Sequence, residues 1–266
     1  MDIEKNCCEK IRYVKKKILS KKPLSERDFG IKNYKRVLKR CSNCGHYINI
    51  YNFNMNKIYS NNYSEIAYGD IKKRFNYLIK LKDKSDNFKR VERVTIFVKK
   101  RKLKNFSLLD IGSGFGIFPY MLKKKVKAEI TTLEPNNKNA EFIKNQLKLK
   151  CKKKFFKKNL FKKKFDFITC NRVIEHAKKP TKVILDINNS LNPGGYFYIE
   201  LPDAASAEKR SIVENEEFHL EHYHVFTKKS LRFMLNKNNF KIHEIKNITE
   251  KSGKFTVYAF AQKTKN

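Results

Sequence analysis

The chain of 266 residues has no tryptophan, nine glycines, six prolines and four methionines, and its 26 carboxylates are far outnumbered by 61 basic side chains. No apolar run approaches the roughly 18 residues that a membrane-spanning helix requires. The amino-terminal stretch MDIEKNCCEK lacks the apolar segment of a secretory signal, so the chain reads as soluble and cytoplasmic. In that compartment the six cysteines are expected to be reduced thiols.

Arginine is also scarce: the basic residues comprise 50 Lys and 11 Arg. Base readers and phosphate clamps favour Arg, whose planar fork binds bidentately. Lys, Asn, Ile, Phe and Tyr have A/T-rich codons, so an A/T-rich genome accounts for most of the net charge of +35. Nucleic acid is therefore disfavoured as a partner, and a polyanion or membrane-surface role stays open. At 40% hydrophobic residues the composition supports a sizeable core.

From about residue 107 onward, strand and helix patterns alternate. SLLDIG, AEITTLEP, KKKFFKKN, KFDFITCNR and YFYIELPD read as strands, and the segments between them carry helical spacing. A final helix opens at Thr227, a suitable N-cap, and two last strands, KIHEIKNI and KFTVYAFAQK, follow it. This order predicts an α/β fold, a doubly wound parallel sheet closed by an antiparallel edge pair. Residues 1–65 break the pattern and read as a small cysteine-containing appendage to a domain spanning 66–266. Acidic residues concentrate at Glu200, Asp203, Glu208, Glu214, Glu216, Glu217 and Glu221.

LLDIGSGFGIF places Asp110, Gly112, Gly114 and Gly116 where the first strand of the alternating region ends. Glycines there permit a sharp turn and close approach of a ligand to the backbone. The G-x-G-x-G spacing differs from the G-x-G-x-x-G of dinucleotide folds. Glu134 ends the next strand, where a carboxylate can accept both hydroxyls of a ribose. Asn159, after the third strand, is placed to meet an adenine edge.

The series LLDIGSGFG, LEP, FDFITCNRVIEHAKKP and LNPGGYFYIELPD resembles the class I S-adenosylmethionine-dependent methyltransferases over about residues 70–263. The resemblance implies a Rossmann-like seven-stranded sheet with its last strand antiparallel. It implies that Gly112, Gly114 and Gly116 pass under the methionine part of the cofactor. Asp110 would help hold its amino group, Glu134 its ribose, and the backbone around Asn171 would complete the pocket. Asn159 stands where many relatives carry Asp facing the adenine amino group.

RCSNCG is a C-x-x-C-G knuckle, a common half-site for zinc. The upstream thiols are Cys7 and Cys8, so Cys41 and Cys44 with this adjacent pair are the candidate ligands, and His46 is a substitute for one of them. Chance or vestigial thiols are the alternative reading. The arrangement is similar to a degraded form of the N-terminal zinc module of deoxysugar C-methyltransferases.

The stretch FHLEHYHVF holds His219, Glu221, His222 and His224. It resembles the segment of sugar C-methyltransferases in which a His-Glu-His run precedes an aromatic residue and a helix. His222 or His219 is a candidate general base or acceptor-orienting group, with Glu221 tuning it. A structural role and a metal site are the other readings. Glu175, His176 and Asp203 are further candidates at the same rim. The function expected is methyl transfer from S-adenosylmethionine to a small acceptor, such as a sugar or nucleotide-sugar. An RNA or protein methyltransferase and a non-catalytic cofactor-binding module are the alternatives.

Overall fold

The amino-terminal strands β1 (Tyr13–Leu19), β2 (Arg36–Cys41) and β3 (Tyr47–Tyr51) form an antiparallel meander. The computed structural model describes residues 3–51 and 69–264. Helix α1 (Ile71–Lys80) opens on Asp70, whose carboxylate accepts from the N–H of Lys73. Helix α2 (Asp86–Lys100) then leads into β4 (Phe106–Ile111). Alternation follows: α3 (Ile117–Lys123), β5 (Ala128–Leu133), α4 (Asn137–Asn145), β6 (Lys150–Lys152), β7 (Phe165–Asn171), α5 (Pro180–Ser190) and β8 (Leu191–Pro202). After a short turn of helix, α6 (Ala204–Ala207), come β9 (His224–Val225), α7 (Lys228–Lys237), β10 (Phe240–Thr249) and β11 (Phe255–Lys263).

Seven strands form one sheet in the order β10-β11-β8-β7-β4-β5-β6. The pairs β4–β5, β4–β7, β5–β6 and β7–β8 are parallel, and β11 runs antiparallel to both β8 and β10. Side-chain alternation decides which helices cover which face. Leu109, Ile111, Ile168, Cys170 and Ile199 pack with Ile184 and Ile187 of α5 and with Leu231 and Leu235 of α7. The intervening Leu108, Phe167 and Tyr198 pack on the opposite face with Val94 and Phe97 of α2 and Phe118 of α3. Residue by residue, the parallel strands therefore feed two cores, which is why they read as continuous apolar runs.

Two expected elements shift. KKKFFKKN does not form a strand: β6 ends at Lys152, and Phe155 and Phe156 leave the sheet. Lys150 and Lys152 are exposed on one face and Cys151 is only half-buried on the other, so this edge has little to bury and pairing stops after three residues. The strand read as YFYIELPD starts earlier: β8 takes in NPGG and pairs with β7 across a register shift between Phe165 and Phe167.

Among the described residues, the amino-terminal strands share a sheet with a later strand. Their sheet has the order β1-β2-β3-β9, and β9 comes from the FHLEHYHVF stretch. Tyr47 pairs with Val225 and Ile48 with His224. The expected boundary at 65/66 lies outside the described residues. The acidic run serves this junction: Glu208 pairs with Arg40 at 2.9 Å and Glu221 with Arg27 at 2.8 Å. Glu200 belongs to a different network, buried between Arg90, Arg93 and Tyr198. Among the described residues, no helix is long and apolar enough to cross a membrane.

Candidate active site

The carboxyl ends of β4, β5 and β7 meet at the glycine loop, the crevice where open α/β sheets bind ligands. Gly112, Gly114 and Gly116 have φ of 68°, 54° and 80°, in the left-handed region that side chains avoid. A Cβ on Gly112 would stand 2.3 Å from Cγ2 of Val173, and one on Gly116 would stand 2.7 Å from Cγ1 of Ile143. The loop thus has no room for side chains and presents bare backbone to the crevice.

Two cavities flank the loop. One, of about 440 Å³, is lined by Gly112, Gly114, Glu134, Phe156, His176 and Tyr223, among others. The N–H of Gly114 donates to Oε2 of Glu134 at 2.8 Å, and the N–H of Asn136 donates to Oε1 at 2.9 Å. Burial pushes the Glu134 carboxyl up to about 7, against the pull of those two donors. The other cavity, of about 530 Å³, is floored by Asp110, Gly112 and Asn171 and opens between Arg74, Lys84 and Lys254. Asp110 is buried and accepts from Oγ1 of Thr169 at 2.7 Å, and burial raises its carboxyl to about 6. The side-chain oxygen of Asn171 is buried without a protein partner. Glycines without room for side chains, a fixed carboxylate and buried polar atoms facing a crevice fit S-adenosylmethionine.

Asn159 is exposed, at φ 61°, and does not line either cavity. Lys154, Phe155 and Phe156 occupy the position expected of it. The early end of β6 causes this, because the chain turns over the cavity sooner than the strand reading allowed.

The histidine stretch is divided among several jobs, and His219, Glu221 and His222 line neither cavity. His219 lies 3.3 Å from Oγ of Ser25, and Glu221 pairs with Arg27. His222 is buried, with Nδ1 2.9 Å from the carbonyl oxygen of Glu217. His224 meets His46 at 3.0 Å. His176, from the IEH segment, is the histidine on the cavity wall, and its ring centroid lies 4.9 Å from that of His222. Its Nδ1 is 2.9 Å from the carbonyl oxygen of Glu221. A carbonyl only accepts, so Nδ1 carries the proton in both rings and Nε2 carries the lone pair. Burial holds both imidazoles neutral, at about 3. Tyr223 and Arg172, two further lining residues, carry no motif of their own; adjacency to His222 and Asn171 was the available signal.

Away from the crevice, all four amino-terminal cysteines are buried together. Cys44 Sγ is 3.4 Å from Cys7 Sγ, and Cys8 Sγ is 3.7 Å from Cys41 Sγ and 4.0 Å from Cys7 Sγ. The four sulfurs lie within 4.8 Å of one another. Zinc–sulfur bonds of about 2.3 Å set tetrahedral sulfur–sulfur edges of roughly 3.8 Å, which these separations bracket. His46 is not needed: its ring bonds Ser230 and His224 instead.

A family model described as a methyltransferase domain matches residues 70–245. The chain is 29% identical over 104 residues to the tRNA U34 carboxymethyltransferase of Nautilia profundicola, covering 37% of this chain and 35% of that protein. It is 26% identical over 106 residues to the Campylobacter curvus enzyme of the same name, covering 35% of this chain and 34% of that protein. The chain therefore spans about a third of the length of these curated relatives. In fold it is similar to magnesium protoporphyrin IX methyltransferase from Synechocystis with bound SAH, at a TM-score of 0.60 and 12% identity, covering 79% of this chain and 100% of that one. It is also similar to the 1,6-didemethyltoxoflavin-N1-methyltransferase of Burkholderia thailandensis, at a TM-score of 0.54 and 13% identity, covering 90% of this chain and 100% of that one.

Proposed function

We propose that this chain, which belongs to the class I S-adenosylmethionine-dependent methyltransferases, methylates a small acceptor of the sugar or nucleotide-sugar class in the crevice above its glycine loop. The observation that carries the reading is Glu134, buried and held by two main-chain N–H groups on the wall of the cavity that His176 also lines. A cavity of a few hundred Å³ suits a small molecule better than a folded macromolecule.

When bound, the sulfonium cofactor supplies an activated methyl and departs as a neutral thioether. The chain's own residues do the rest. Glu134 receives the ribose hydroxyls, Asp110 and Asn171 hold the amino-acid end, and the walls align the acceptor and exclude water. His176 takes the proton that the acceptor atom releases, at Nε2, while its Nδ1–H stays on Glu221. His222 acts as a positioning residue behind it. We assign His219 and Glu221 to structure.

The four-cysteine cluster is proposed to hold one zinc ion that joins the amino-terminal sheet to the rest. Thr227, the N-cap of α7, donates to the carbonyl of Cys44 at 2.7 Å, so the knuckle and the helix are tied together.

A second reading, RNA methylation, is favoured by one local feature. Residues 144–164 contain eleven lysines and no acid, and this run includes Lys154 on the cofactor cavity. The test is a methyl-transfer assay with radiolabelled donor against sugar nucleotides and against bulk RNA. Label in the small-molecule pool supports the first reading; label confined to RNA overturns it.

A further inference from the structure

Arg172 follows β7 with φ 56°, a left-handed conformation that a long L side chain rarely adopts. The kink places consecutive side chains apart. Val173 fills the space beside Gly112, while Arg172 reaches the top of β11, where its Nη2 donates to Oγ1 of Thr256 at 2.5 Å and toward the carbonyl of Phe255 at 3.4 Å. Both partners are neutral, and Arg172 forms no ion pair among the described residues. Arg27, Arg36, Arg40, Arg90 and Arg93, by contrast, pair with carboxylates. Arg172 also lines both cavities that flank the glycine loop.

Buried Glu175 attracts Arg172 without a hydrogen bond to it. Arg74 and Lys84 line the same 530 Å³ cavity toward solvent, together with Lys254, which pairs with Glu216 at 2.9 Å. The acids of that cavity are occupied: Asp86 accepts from the N–H and Oγ of Ser252, and Asp110 lies buried at the floor. Because Arg172 lines both this cavity and the one that His176 lines, an acceptor beside His176 also lies beside Arg172.

We infer that Arg172 reads an anionic group on the acceptor, so that the substrate is a small molecule carrying a phosphate or a carboxylate. The guanidinium fork matches either group bidentately. This inference rests on the cofactor assignment above and goes beyond it by naming the acceptor's charge.

The test is calorimetry on the full chain loaded with S-adenosylhomocysteine, at physiological salt, with pyrophosphate, malonate and uridine as probes. Arg172→Asn is the variant, because Asn accepts the left-handed conformation and leaves the loop folded. One dianion is expected to bind at least about tenfold more tightly than uridine, and Arg172→Asn to lose about tenfold of that affinity. S-adenosylhomocysteine affinity should stay within about threefold. Arg74→Gln, on an exposed helix position, should weaken the same probe by a smaller factor. Preference for pyrophosphate assigns a phosphorylated acceptor, and preference for malonate a carboxylated one. Equal binding of dianion and uridine, or an equal loss of S-adenosylhomocysteine in Arg172→Asn, overturns the inference. So does an oligouridylate that outcompetes both dianions at the site. Failure of the wild type to bind S-adenosylhomocysteine would instead overturn the cofactor assignment.

Discussion

His176 donates its Nδ1 proton to the main-chain carbonyl of Glu221 at 2.9 Å, which locks the cavity-wall imidazole to the loop that carries His219, His222 and His224. Two segments 45 residues apart thereby form one unit, and the ring's lone pair is fixed on Nε2. His176→Ala should retain S-adenosylhomocysteine affinity within about threefold and lose methyl transfer by about 10² to 10⁴. His219→Ala, whose ring contacts Ser25, should keep turnover and lose only stability. Calorimetry and a radiolabel assay on the same preparations check both.

Glu134 should carry much of the cofactor affinity. Glu134→Ala is expected to weaken S-adenosylhomocysteine by roughly tenfold to a hundredfold, the worth of hydrogen bonds to a charged group. The ribose hydroxyls donate to the carboxylate form, and the carboxyl of the free protein is raised to about 7 by burial. Affinity should therefore rise as pH increases through 7, and Glu134→Gln should flatten that profile. Titrations from pH 6 to about 8 measure the slope.

Glu175 provides a stability test. It is fully buried, neither carboxylate oxygen has a protein hydrogen bond, and burial raises it from 4.5 to about 8 against the attraction of Arg172. A carboxyl whose folded value is raised binds more protons when folded. Its contribution is intact below about 4.5 and is lost as pH rises toward 8. Glu175→Gln should thus change little near pH 4.5 and stabilise by roughly 2 kcal/mol or more above pH 8. Denaturant unfolding at the two pH values reads the difference.

The zinc assignment predicts one metal per chain on elemental analysis. Cys41→Ser combined with Cys44→Ser should abolish it and expose the β1–β3 sheet to proteolysis, because the loops then lose their cross-link. The core on the opposite face of the large sheet, around Val94, Phe97, Leu108 and Phe167, contains none of these cysteines and should resist digestion under the same conditions.

Glu200 is the last test. Its carboxylate sits fully buried between Arg90 and Arg93. Glu200→Gln would leave two guanidinium groups partly unpaired, at a cost of about 3 to 5 kcal/mol seen as a lower unfolding midpoint.

The alternation of strands and helices, the glycine turn and the place of Glu134 at a strand end were legible in the sequence because each depends on local chemistry. A buried strand must be apolar, a tight turn must be glycine, and a carboxylate at a strand end has one direction to face. Asn159 was misplaced relative to the cavity because the length of an edge strand depends on what its side chains can bury, and lysines bury little. The histidine loop misled for another reason. Three histidines close in sequence diverge when their segment crosses between two sheets, so His219, His222 and His224 meet Ser25, Glu217 and His46 respectively.

By itself the sequence determined the doubly wound sheet, the glycine turn after its first strand and the C-x-x-C knuckle, since periodicity and residue chemistry act over a few neighbours. Tertiary structure alone decided that Cys7 and Cys8 could share one cluster with Cys41 and Cys44, that β9 would close the amino-terminal sheet, and that His176 rather than His222 would face the cavity. Those outcomes depend on contacts between segments roughly 30 to 180 residues apart, where packing against a distant partner fixes each side chain's direction and local spacing carries no record of it.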